Sequence, residues 1–230
     1  MNKLSFPRRL LKLIHPEGIP WPGTVVYNKI STIQIFQRNY ELVAKDIVAR
    51  CRRGDLLDIG TGPGWLLLKL HAASPSLHIT GMDASPAMVT AARQNVSAAG
   101  LANVIKVEQG YANRLPCADE SFDIVVSTGS IHHWKDPLSG INEVHRVLKP
   151  GGQALLYDIV SDTPREVMQA AQREFGRFKV LMLWLHAFEE PFYSQRNLAA
   201  LAQPSLFKEG QTRFVGVLCC LTLKKVEEKR

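Results

Sequence analysis

The sequence predicts an α/β fold, a mainly parallel sheet covered by helices on both faces. Three observations carry the prediction. Between residues 54 and 160, short apolar runs alternate with stretches of helical spacing. The runs are almost continuously apolar, as strands buried on both sides are. Glycines cluster where the first run gives way to the first helix, in LLDIGTGPGWLLLKL (56–70).

Residues 1–230 read as one domain in four parts. A helical cap is expected over 1–52. It contains a loop at HPEGIPWPG (15–23), with three prolines and two glycines, and a helix in 27–51 with Leu42, Val43, Ile47 and Val48 on one face. The core, 53–160, opens with DLLDIG as a strand and WLLLKLHAA as a helix. LHITGMD (77–83) is the next strand. The following helix has Ser85 as N-cap, Pro86 in its first turn and Gly100 beyond its last turn. VIKVEQG (104–110) and FDIVVSTG (122–129) are strands. PLSGINEVHRVL (137–148) is a helix stopped by a KPGG turn, and QALLYDIV (153–160) is a fifth strand, giving five βα-type units. Residues 161–204 read as a helical insertion. Residues 205–223 read as a closing hairpin that turns at Glu209-Gly210.

Composition narrows the functional classes. Apolar residues are 46% and charged residues 21% of the chain, values expected of a soluble globular protein. No uncharged apolar run reaches the ~18 residues of a membrane-spanning helix. Lys12 interrupts the apolar stretch near the start, and no small-residue cleavage site follows, so no secretory signal is expected. The net charge of +7 sits at the ends. Lys3, Arg8, Arg9 and Lys12 precede the first acid, Glu17, and KKVEEKR closes the chain. With no basic stripe across the body, a nucleic-acid partner is not expected. Cys51, Cys117, Cys219 and Cys220 form no CxxC or zinc spacing and suit a reducing cytoplasm. Vicinal Cys219 and Cys220 lie in an apolar strand and would point to opposite faces as core residues.

The glycine cluster marks a binding site. Gly60, Gly62 and Gly64 permit a tight bend and close approach of a ligand to backbone N–H groups at a helix start. A dinucleotide fingerprint requires glycines at 60, 62 and 65, but position 65 is Trp65. The spacing leaves little room for a pyrophosphate and suits an adenosyl ligand. Asp83 ends the second strand about 20 residues on, where a carboxylate can accept both hydrogens of a ribose diol.

Four segments in sequence, LLDIGTGPGWLLLKL, ITGMDASPAMV, LPCADESFDIVVSTGSIHHWKDP and EVHRVLKPGGQALL, resemble class I S-adenosylmethionine-dependent methyltransferases. The resemblance covers roughly residues 40–160 and is strongest to the small-molecule group that includes the ubiquinone/menaquinone-biosynthesis methyltransferases. It implies a Rossmann-like seven-stranded sheet with an antiparallel last strand, and a lid built from the N-terminal helices and the insertion after strand five. It implies S-adenosyl-L-methionine as cofactor. Gly60, Thr61, Gly62 and Gly64 would pack against the methionine part and ribose, and Asp58 would orient the loop and the ammonium end. Asp83 would hold the ribose hydroxyls, flanked by Met82 and Ala84, with Met82 along the adenine. Relatives often read Gly-Asp-Ala after the third strand, the aspartate binding adenine. Here Tyr111 takes that place, so stacking by Tyr111 and the backbone N–H of Ala112 are the expected contacts.

Methyl transfer is an in-line displacement that needs alignment and exclusion of water, with a general base where the acceptor must lose a proton. No metal is required. After the fourth strand, Ser127, Thr128 and Gly129 should line the crevice, and one of adjacent His132 and His133 should face it as a candidate base. The lid candidates IPWPGTVVYNKI and FGRFKVLMLWLHAFEEPFY are apolar and aromatic, which suits an apolar or aromatic small-molecule acceptor or a homodimer contact. Tyr27 and Tyr40 could close over the cofactor. Three alternatives share parts of this pattern: a nicotinamide or flavin oxidoreductase, a non-catalytic cofactor-binding regulator or scaffold, and an RNA or protein methyltransferase. Trp65 and the downstream segments oppose the first. No Asn-Pro-Pro-Tyr-type motif supports a nucleic-acid amino methylator.

Overall fold

The computed structural model describes residues 28, 31–178, 180 and 192–227. The expected loop at 15–23, Tyr27 and the apolar lid run at 181–191 lie outside them.

Strands β1 (Gly54–Ile59), β2 (Leu77–Asp83), β3 (Ile105–Gln109), β4 (Phe122–Thr128), β5 (Leu148–Asp158), β6 (Gln211–Val215) and β7 (Leu218–Lys224) form one sheet. Its order is β3-β2-β1-β4-β5-β7-β6. The first five strands pair in parallel. β7 lies antiparallel to both β5 and β6, so it alone runs against the other six.

The sheet divides the core in two, and the period-2 alternation of strand side chains assigns each residue to a layer. Leu56, Ile124, Val126, Leu155 and Cys220 face α1 (Gln34–Val48), α2 (Trp65–Ala73) and α3 (Pro86–Ala98). Their neighbours Leu57, Val125, Leu156 and Cys219 face α4 (Pro137–Val147) and α6 (Gln195–Ala200). The two cysteines therefore pack on opposite faces, as expected. Burial pushes the thiols of Cys219 and Cys220 up to about 12 and about 11, which keeps them protonated. α5 (Arg165–Phe175) follows β5 and stops at Gly176.

Local signals place the helix ends. Ser85 Oγ accepts from the Met88 N–H at the start of α3, and Asp136 accepts from the Ser139 N–H at the start of α4. Pro86 and Pro137 occupy first-turn positions where a missing N–H costs nothing.

Three details differ from the expectations. The KPGG segment is not a turn before the strand. β5 already begins at Leu148, and Gly151 N donates to Lys225 O while Lys225 N donates to Gly152 O. Gly151, at φ 78°, absorbs the shift of register against β4. The closing hairpin does not turn at Glu209-Gly210. It turns at Gly216-Val217, with Gly216 at φ 57° as the first of two loop residues. Gly210 is instead a close approach, because a Cβ there would lie 2.8 Å from Leu221 Cδ1 and 2.9 Å from Ala202 Cβ. Finally, β3 and β4 are joined by a loop without a helix. Arg146 holds that loop through the carbonyls of Leu115 and Cys117 and the carboxylate of Asp119, while Glu143 accepts from the Leu115 N–H.

Candidate active site

The cleft opens at the carboxyl ends of β1, β2 and β4, where an open α/β sheet offers its crevice. Its floor is the bend between β1 and α2. Gly60, Gly62 and Gly64 have φ of 75°, 54° and 80°, in the left-handed region that favours glycine. The bend is fastened to β2, since the N–H groups of Gly60 and Thr61 both donate to Met82 O. A Cβ on Gly60 would lie 2.0 Å from Ser130 Oγ, so the β1 and β4 loops meet only because that position is bare.

Two carboxylates flank the bend. Asp83 is 8% exposed; Oδ2 accepts from the Gly62 N–H and Oδ1 from the Ser85 N–H, each at 2.9 Å. Burial raises its carboxyl, and these two backbone bonds oppose the rise. Asp58 is 1% exposed, and its Oδ2 accepts from Thr61 Oγ1 at 2.8 Å. Burial pushes its carboxyl up to about 7; the Thr61 bond works against this and the charge of Asp83 adds to it. Asp58 Oδ1 and Thr128 Oγ1 are buried atoms with no hydrogen-bond partner.

The expected site residues divide into two groups. Asp58, Gly60, Thr61, Gly62, Asp83, Ala84, Ala112, Thr128 and His133 line the cleft, as does Gly129. Gly64, Met82, Tyr111, Ser127 and His132 do not. Gly64 lies beneath the bend, where a Cβ would meet Ala92 Cβ at 3.2 Å. Met82 is buried in the α4 layer, with its sulfur 3.1 Å from where a Cβ on Gly110 would be. Tyr111 is 44% exposed and forms a bridge with Arg114. Ser127 is buried, its hydroxyl without a partner. Of the two histidines, His133 faces the cleft and His132 is buried against Asp158.

Tyr40 of α1 also lines the cleft. Sequence reasoning missed Met88, Asn113, Ser130 and Lys135 on its walls. Met88 and Asn113 follow Asp83 and Tyr111 closely, and adjacency to those motifs was the only signal available. Trp134 packs its ring over Gly140 of α4, where a Cβ would lie 2.6 Å from Trp134 Cε3, and its Nε1 donates to Ser130 Oγ. Among the described residues, no cluster of His, Cys, Asp and Glu could hold a metal ion, and no helix is long and apolar enough to cross a membrane.

The family described as a methyltransferase domain matches residues 57–156. The ubiquinone/menaquinone biosynthesis C-methyltransferase of Geotalea daltonii is 34% identical over 145 residues, 63% of this chain and 61% of that protein. This chain therefore spans under two thirds of the Geotalea protein. An uncharacterized methyltransferase of Bacillus subtilis, YdaC, is 30% identical over 149 residues, 64% of this chain and 78% of that protein. The crystal structure of a SAM-dependent methyltransferase from Aquifex aeolicus aligns with a TM-score of 0.67 and 18% identity, over 88% of this chain and 98% of that one. At that identity the likeness speaks to the fold. The family match runs through the segment that supplies nearly every wall of the cleft, and the chain belongs to the S-adenosylmethionine-dependent methyltransferase family.

Proposed function

We propose that the chain transfers a methyl group from S-adenosylmethionine to a small-molecule acceptor. The observation that carries this reading is the pair of carboxylates on either side of a side-chain-free bend. Asp83 keeps spare acceptor capacity on two oxygens that each already receive one backbone bond, which suits a ribose diol. Asp58 Oδ1 and Thr128 Oγ1, buried and unpartnered, call for a polar group, and the cofactor's ammonium end satisfies the carboxylate. The adenine would lie along Gly110, Ala112 and Asn113, with exposed Tyr111 outside its plane of contact.

When bound, the cofactor supplies a methyl carbon activated by sulfonium. The protein's own part is to hold, align and shield. The Gly60–Gly62 backbone and the two aspartates fix position, and Tyr40 and Trp134 narrow the cleft against water. His133 lines the same cleft as Thr128 and Gly129. An apolar, aromatic acceptor fits this reading, supported by the quinone-pathway name of the Geotalea relative. A cytoplasmic setting belongs to the same reading, supported by four cysteines that are all free thiols.

Titration calorimetry with S-adenosylhomocysteine and with NAD, run separately, tests the proposal. S-adenosylhomocysteine should bind, and Asp83→Ala should weaken it by about tenfold or more, the loss of a charge-assisted pair of bonds. Binding of NAD alone would overturn the reading.

A further inference from the structure

The loop after β3 walls the cleft next to Asp83. β3 pairs with β2 so that Gln109 stands beside Asp83, and the next N–H, of Gly110, donates to Asp83 O at 3.1 Å. Gly110 is pressed against its neighbours: a Cβ there would lie 3.1 Å from Met82 Sδ and 3.2 Å from Pro116 Cδ. The chain then makes a four-residue turn, closed by the Arg114 N–H donating to Tyr111 O at 3.0 Å. Glu143 accepts from the Leu115 N–H at 2.8 Å and fixes the far end. Such a turn points its two middle residues one way and its corners another. Ala112 and Asn113, the middle pair, line the cleft; Tyr111 and Arg114 do not.

The tip offers two hydrogen-bonding groups. The Ala112 N–H donates to no group among the described residues, and the Asn113 amide makes no hydrogen bond among them. The acids that line the cleft are engaged elsewhere. Asp58 accepts from Thr61, Asp83 from the Gly62 and Ser85 N–H groups, and Asp136 from the N–H and hydroxyl of Ser139. The polar edge of a base beyond the ribose site therefore meets one fixed donor and one amide.

Building on the methyltransferase reading, we infer that Asn113 grips the six-position of the cofactor's purine and that the site consequently admits a 6-oxopurine counterpart. An amide carries an acceptor and a donor on one rotatable group. Facing adenine, Asn113 Oδ1 accepts from the 6-amino group, the kind of pairing amides make with that base. Facing a 6-oxopurine, the amide turns over and Nδ2 donates to the carbonyl. A carboxylate at the same place only accepts, and would face the 6-oxo group with no hydrogen between them. The Ala112 N–H cannot reverse. It suits the bare N1 of adenine and opposes the N1–H of a 6-oxopurine. Adenine is preferred, but by one bond instead of two.

Calorimetry with S-adenosylhomocysteine and with S-inosylhomocysteine, its 6-oxo analogue, tests this. The wild type should bind the second within about thirtyfold of the first, the cost of one opposed donor. A wider gap overturns the inference. Asn113→Ala should weaken both ligands alike, by about fivefold, because the amide serves either base. Asn113→Asp should hold S-adenosylhomocysteine and widen the gap by a further tenfold or more. Asn113 has a negative φ, so alanine and aspartate both fit the turn, and unchanged near-UV circular dichroism verifies that they do. Tyr111→Ala should leave S-adenosylhomocysteine within about twofold of wild type. An unchanged affinity in Asn113→Ala, an unchanged gap in Asn113→Asp, or a larger loss in Tyr111→Ala than in Asn113→Ala overturns the assignment while wild-type binding of S-adenosylhomocysteine leaves the methyltransferase reading in place. A wild type that binds neither ligand overturns that reading and this inference with it.

Discussion

Asp58 and Gly60 stand two residues apart and meet opposite demands. Gly60 must have no side chain, because Ser130 occupies the space a Cβ would take. Asp58 must keep its carboxylate although almost all water has been removed from it, and burial pushes the carboxyl up to about 7. The free folded protein therefore holds a proton there that the unfolded chain, with its ordinary carboxylate, gives up at much lower pH. The stability this contributes is complete below the ordinary aspartate range near pH 3.8 and is lost as pH rises through about 7. A cofactor ammonium beside Asp58 Oδ1 reverses the balance by favouring the ionised form. Binding should then release a proton below about pH 7, and the dissociation constant should rise by up to about tenfold per pH unit on going lower. Calorimetry with S-adenosylhomocysteine in buffers of different ionisation enthalpy measures the released proton directly. Asp58→Asn should remove the dependence, and a wild-type affinity that is flat from about pH 5.5 to about pH 8 would show that no ammonium meets this carboxylate.

At the scale of elements, the bend, the strands and the helix starts were legible because each depends on neighbours in sequence. Ser85-Pro86 announces α3, and the glycines announce the bend after β1. What was hidden depends on residues far apart. The α1 helix brings Tyr40 to the cleft, yet it is held by Asp46, which accepts from Tyr157 Oη at 2.6 Å and from Arg213. Those partners are 111 and 167 residues away, and no local pattern joins them. The hairpin turn was misplaced for the same reason: Glu209-Gly210 has turn composition, but Gly210 is bare to admit Leu221, Leu223 and Ala202. His132 and His133 were legible as a pair; which one faces the cleft was decided by Asp158, 26 residues on. The α1 clamp predicts an order of stabilities. Asp46→Ala leaves the buried Tyr157 hydroxyl without its acceptor and should cost about 1–3 kcal/mol. Tyr157→Phe leaves Asp46 still paired with Arg213 and should cost about 0.5–1.5 kcal/mol. Urea denaturation of the two variants measures this order, and a larger loss in Tyr157→Phe would mean that the aromatic hydroxyl does not depend on the clamp.

Across the whole molecule, the sheet is a partition shared by two apolar layers. Leu155 and Leu156 are adjacent on β5 and both fully buried, yet they belong to different layers. Leu155 packs in the layer that holds α1, α2 and α3; Leu156 packs in the layer that holds α4 and α6. Their backbone groups lie in the same ladders, to β4 on one side and β7 on the other. Neither layer can open without exposing one face of those strands, so the two should unfold together. Leu155→Ala and Leu156→Ala each remove a fully enclosed side chain and should each cost about 2–5 kcal/mol. Both variants should retain a single urea transition, with far-UV and near-UV circular dichroism superimposing. Two separated transitions in the Leu156→Ala protein, with the α1–α3 layer persisting after the α4 layer is lost, would mean that β5 transmits no cooperativity and that the layers fold as independent units.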